Sequence, residues 1–242
     1  MKSLIILLCF PITMFGQSLT LEIQQYFDLK DFTKAENRLL DYLEDNPNNI
    51  EAIELLGDFY GHQKKWNNAI ESYKTLVDSV PNNANYHYKY GGALGMKALE
   101  VNKLKALTII DDVKQAFLTA AHLDPNHIDT RWALVELYMK LPGIIGGSKN
   151  KSLQYANELE ALSKVDGYLA KGYIHEYDDE LEQAEIYYKK ALHVGNSKTG
   201  YIKLSDFYLN QDKQDEAIHV LKEGYAKLND EEFLKRITEI TK

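Results

Sequence analysis

Residues 50–83 run IEAIELLGDFYGHQKKWNNAIESYKTLVDSVPNN. The segment reads as two helices, near 48–62 and 65–79. Gly57 and Ala69 are small, which lets paired helices approach closely, and Tyr60 and Tyr73 fill the space between neighbours. Pro81 closes the unit. It cannot continue a helix, yet its fixed φ suits the first turn of the next one.

Outward from this segment the same residue types return at one spacing. Tyr26 and Tyr60, Ala35 and Ala69, and Pro47 and Pro81 are each 34 apart. Tyr168 and Tyr201, and Ala184 and Ala217, are each 33 apart. Three residue types sharing one period mark a structural repeat, in which each helix pair buries its apolar face against the next.

On Leu56-Gly57, Tyr60, Ala69, Tyr73 and Pro81 the segment resembles the tetratricopeptide repeat. The resemblance covers nearly all of residues 18–240. It implies an all-α fold: a right-handed α-α superhelix of about six helix pairs with a C-terminal capping helix. Repeats are expected at about 16–49, 50–83, 84–127, 128–164, 165–197 and 198–229, with the cap at 230–242.

Several units depart from the pattern. Ile23 replaces the glycine in repeat one and Ser205 in repeat six, and His175 stands at the tyrosine position of repeat five. Pro81 and Pro125 are 44 apart, so both helices of repeat three, near 82–101 and 104–123, should be lengthened, by about three turns in total. In repeat four, with helices near 127–140 and 150–163, Leu134 and Tyr138 match and Ala156 takes the small position. Tyr138 to Ala156 is 18 residues where Tyr60 to Ala69 is 9. The extra nine are assigned to the stretch Pro142-Gly143-Ile144-Ile145-Gly146-Gly147-Ser148-Lys149-Asn150. Residues 165–193 and 197–227 hold the next two pairs, and 230–240 an amphipathic cap.

The 242 residues are 45% hydrophobic, which excludes a disordered chain. A net charge of −8 without a dense Lys/Arg run argues against nucleic acid as partner. Residues 1–16 read as a leader: Lys2 supplies the positive end, Leu4 to Phe10 an apolar run too short to span a bilayer, and cleavage is expected after Gly16. The only cysteine, Cys9, lies in this leader, and Leu8 before it does not suit lipidation. The remainder then has no thiol for disulfides, catalysis or zinc–thiolate sites. Export to the periplasm or cell envelope, or secretion, follows, with no membrane-spanning segment once the leader is removed.

The resemblance places binding on the concave face, lined by the first helix of each repeat. There stand Glu54 and Asp58, Tyr88, Trp132 and Glu136, Tyr173 and Tyr177, and Asp206. Acids alternating with aromatics suit a basic or amphipathic peptide or protein segment. The competing reading has the aromatics as packing residues and the acids as a solvated face. The family's carboxylate clamp of Lys and Asn is not matched: its positions carry Glu54, Asp58, Tyr88 and Gly92.

For the 142–150 loop the favoured reading is an ordered insertion, with Ile144 and Ile145 packed inward and Ser148 capping the next helix. Similar Pro-Gly…Gly-Gly insertions occur in a subset of exported bacterial tetratricopeptide proteins, which this chain resembles. Phosphate binding with Lys149 and a mobile surface loop are the alternatives. His122 and His127 straddle a repeat junction, no His-Glu-x-x-His helix occurs, and neither metal nor cofactor is expected. No serine elbow and no conspicuous carboxylate pair is present, so no enzyme is expected. The chain is expected to be a non-enzymatic scaffold or adaptor. The alternative is a cell-envelope glycan binder or hydrolase using groove carboxylates.

Overall fold

The computed structural model describes the backbone of residues 13–241 and the side chains of residues 19–241. Among the described residues there are thirteen α-helices, one 3-10 turn and no strand. The helices are α1 (Thr13–Asp28), α2 (Phe32–Asp45), α3 (Ile50–His62), α4 (Trp66–Ser79), α5 (Ala84–Glu100), α6 (Lys103–Leu123), α7 (Ile128–Lys140), α8 (Lys149–Leu162), α9 (Lys164–Tyr177), α10 (Leu181–Gly195), α11 (Lys198–Leu209), α12 (Gln214–Leu228) and α13 (Glu231–Ile240). The leader expected at 1–16 falls outside the described residues up to position 12; Thr13 to Gly16 open α1. Two compact units result, one ending at Ala116 and one beginning at Phe117.

Helix starts are set by side chains that accept otherwise unpaired N–H groups. Asn49, Asn83, His127, Ser163 and Ser197 each cap the first helix of a pair, at Ala52, Tyr86, Thr130, Asp166 and Gly200 respectively. His127 accepts through Nδ1, which gives it a local structural role.

Turns inside a pair share one device. Lys30, Lys64, Asp179 and Asp212 hold φ at 56–58°. The next residue's N–H then returns to a carbonyl five residues back: Asp31 to Tyr26, Lys65 to Tyr60, Glu180 to His175 and Lys213 to Tyr208, at 2.8–3.0 Å. The recurring tyrosine position therefore also closes the turn through its backbone, which is why His175 can replace the ring.

A large residue faces a small one sixteen positions earlier. A Cβ on Gly57 would lie 2.6 Å from the Tyr73 ring, and one on Gly172 would lie 2.7 Å from Tyr188. Ser205 and Leu221 hold the same two places, both fully buried. Complementary volumes at these sites keep the interior close-packed.

Repeat four follows the same plan once its register is corrected. Ser148 N–H donates to the Tyr138 carbonyl at 2.8 Å, the closing bond of the other turns. The small position four residues on is Ser152, not Ala156. Ser152 is fully buried, and its hydroxyl donates to the Val135 carbonyl at 2.8 Å. Ala156 instead takes the Tyr73 place, opposite Val135, so large and small are exchanged between the two helices. The insertion is five residues longer than the ordinary turn, not nine.

Both helices of repeat three are lengthened, as expected, and the extra length lies at the hairpin tip. α5 ends nine residues past Gly91, where α3 ends five past Gly57. α6 begins 22 residues before Pro125, where α4 begins 15 before Pro81.

Candidate functional site

In the first unit the expected acids are compensated. Lys89 on α5 donates to Glu54 at 2.6 Å and to both Asp58 oxygens at 2.7 and 2.8 Å. Tyr73, passing beneath Gly57, donates its hydroxyl to Asp58 at 2.7 Å. Burial first, and Asp58 second, push the Tyr73 pKa far up, so it stays a donor. Tyr88 is half-buried on the same helix as Lys89.

In the second unit the acids have different partners. Trp132 on α7 is half-buried and packs against both cores of the unit, and its indole N–H donates to Asp166 at 3.2 Å. Tyr188, passing beneath Gly172, donates to Glu176 at 2.6 Å, and the Asn210 amide donates to the same carboxylate at 2.9 Å. All three donors are neutral. Among the described residues no Lys, Arg or His pairs with Asp166 or Glu176. Neither residue stood out in sequence, although both lie on the Tyr173 stripe of α9 at helical spacing.

Tyr173 lies between these carboxylates. Its hydroxyl is shut off from solvent and has no hydrogen-bond partner. Burial, and then the Glu136 charge, raise its pKa. Its ring is 5.9 Å from that of Tyr177, which is 51% exposed. Tyr177 stands one turn beyond the Asp58 register; the place matching Glu54 is held by buried Leu169. Asp166, Tyr173, Glu176 and Tyr177 thus form an acid–aromatic stripe along about 15 Å of α9. Glu136 pairs with Lys140 one turn on, at 2.5 Å. Asp206 accepts from Arg236 at 2.7 Å and so helps seat α13.

The insertion loop is built by backbone. A 3-10 turn, Gly143–Ile145, follows Pro142, with the Ile145 and Gly147 N–H groups returning to the Pro142 carbonyl at 3.0 and 3.1 Å. Gly146 has φ 101°, and a Cβ on Gly147 would meet the Leu141 carbonyl oxygen at 1.7 Å. The first glycine supplies conformation and the second supplies space. Ser148 caps α8 at Lys151.

The isoleucines depart from expectation. Ile145 is half-buried, but Ile144 is 96% exposed, because the tight turn aims successive side chains apart. The phosphate alternative is also disfavoured. Lys149 is held by Asp178 at 2.5 Å and Glu180 at 2.7 Å, and two carboxylates would repel an anion. The Lys149 bond, and then His175, depress the Glu180 pKa. This tether therefore holds above the ordinary carboxylate range and loosens only as pH falls through the lowered value. No cluster of three metal-ligating side chains occurs among the described residues, and no described helix is long and apolar enough to cross a membrane.

The tetratricopeptide repeat family model matches residues 165–193, the unit that carries the stripe. A search of curated proteins returns no match. Solved structures share the fold. A tetratricopeptide repeat protein from Parabacteroides merdae aligns with a TM-score of 0.61 at 15% identity, over 87% of this chain and 79% of that one. PilW, a widely conserved type IV pilus biogenesis factor, gives 0.59 at 16%, over 93% and 99%. A thermophilic tetratricopeptide protein of Thermus thermophilus gives 0.54 at 16%, over 93% and 98%.

Proposed function

We propose that this chain, a tetratricopeptide-repeat protein, is an exported, non-enzymatic scaffold that holds a basic segment of a partner protein against the α9 stripe. One observation carries the reading: Asp166 and Glu176 are fixed by neutral donors, so their charge is not cancelled within the chain. The exposed Tyr177 ring follows Glu176 on α9, and the buried Tyr173 hydroxyl belongs to a residue between the two acids along the helix. A partner segment carrying two basic side chains would gain one carboxylate at each end of the stripe, with the Tyr177 face beside Glu176. In the first unit Lys89 already fills the equivalent role, which makes that face the weaker candidate. Export rests on Lys2 and the Leu4 to Phe10 run; a native protein in the envelope fraction beginning at Gln17 would bear it out, and one retaining Met1 would not.

The double variant Asp166→Asn/Glu176→Gln tests the site. Each amide keeps an acceptor for Trp132, Tyr188 and Asn210, so the fold should hold while the charge is lost. On an array of peptides varied in Lys/Arg content, the parent should favour basic sequences, and the variant should bind them about tenfold more weakly. Equal binding of acidic peptides, or an unaffected variant, would overturn the proposal.

A further inference from the structure

The lengthened tip of the α5–α6 hairpin presents several exposed apolar side chains close together in the chain. Glu100 and Lys103 are separated only by Val101 and Asn102, and Asn102 caps α6 by accepting the Lys105 N–H at 3.0 Å. The tip is held in place: the Trp66 indole donates to Glu100 at 2.6 Å. On this fixed turn Leu99 is 71% and Leu104 79% exposed, with Met96 and Leu107 exposed beside them. Leucines presented this openly on a braced tip do not belong to the unit's own core.

Charge separates the candidate occupants. Lys97, Lys103 and Lys105 flank the leucines along the chain, and among the described residues none of the three pairs with a carboxylate. Glu100, the one acid between positions 96 and 107, is the residue tied to Trp66. The tip is therefore locally basic in a chain of net charge −8. Exposed apolar side chains with lysines next to them in the chain match the boundary between lipid headgroups and acyl chains: the leucines enter the apolar layer and the lysines stay with anionic headgroups. A symmetric pairing of two tips would set lysines against lysines.

We propose that the α5–α6 tip docks this protein on an anionic phospholipid surface. It uses different residues from the α9 stripe, so a scaffold of this kind would hold its partner beside a membrane.

Co-sedimentation of the full chain with vesicles tests this. The parent should partition onto phosphatidylglycerol/phosphatidylcholine vesicles and far less onto phosphatidylcholine alone, and about 0.5 M salt should release it. Leu99→Asp/Leu104→Asp should lower the partition coefficient at least about tenfold. Lys103→Glu/Lys105→Glu, which leaves every apolar contact in place, should do the same on anionic vesicles only. All forms carry residues 1–16, so any contribution from that apolar stretch cancels in the comparison. Unchanged thermal melts would show that both variants fold. Equal partitioning of parent and variants, or indifference to phosphatidylglycerol, would overturn the proposal. So would a vesicle-free dimer, seen by light scattering, that the leucine variant abolishes.

Discussion

Gly167→Ala should destabilise the second unit by about 3 kcal/mol. α8 and α9 are joined by Ser163 alone, whose N–H donates to the Leu159 carbonyl at 2.7 Å while its hydroxyl accepts from Asp166. So short a link brings α9 back hard against α8. A Cβ at 167 would lie 2.3 Å from the Glu160 Cα and 2.5 Å from its backbone nitrogen. Backbone cannot swing aside as a side-chain tip can. In an open helix the same change would stabilise by about 1 kcal/mol, so the sign of the effect separates the two cases. Denaturant unfolding, with hydrogen exchange of α8 and α9 to assign the change to this unit, reads the outcome. A midpoint at or above that of the parent would show that the helices are not in contact there.

Arg131→Ala should cost a similar amount, about 3 kcal/mol. Arg131 is 4% exposed. In an uninterrupted helix the Ala121 carbonyl would accept the N–H of residue 125, but that residue is Pro125, which has none. Arg131 Nη2 supplies the missing donor at 3.3 Å, and Nη1 reaches the Asp124 carbonyl at 2.9 Å. Its Nε lies 3.4 Å from Glu158 on α8, close enough for charge attraction although no hydrogen bond forms. Alanine would leave a cavity, an orphaned carbonyl and a carboxylate without its cation. The same hydrogen-exchange experiment should show the α6 C-terminus and α7 opening first. Protection unchanged in those two segments would contradict this role.

The helix pairs were legible because the period fixes them. Gly57 reads as a point of close helix approach and is one, with the Tyr73 ring against it, and most helix ends fall within two residues of their expected places. What remained hidden depends on contacts that a period does not encode. Counting to the nearest alanine put repeat four in the wrong register, since Ser152 is as small and its hydroxyl is satisfied by the Val135 carbonyl. Ser163-x-x-Asp166 is a helix-start signal and could have located the one-residue junction, but not the closeness at Gly167. The exposure of Ile144 is not legible in the sequence, because apolar character says nothing of direction in a tight turn. The acids were visible, but their partners were not. Whether a carboxylate meets Lys89 or only a tyrosine hydroxyl depends on the neighbouring helix.

That difference between the two units underlies the functional proposal. Nuclear magnetic resonance titration of the isotopically labelled protein with a lysine- and arginine-rich peptide tests it most directly. The account predicts saturable shifts at the Trp132 indole and along Tyr173 to Tyr177, absent in Asp166→Asn/Glu176→Gln. Shifts confined to the Lys89 face, or persisting undiminished in that variant, would contradict it.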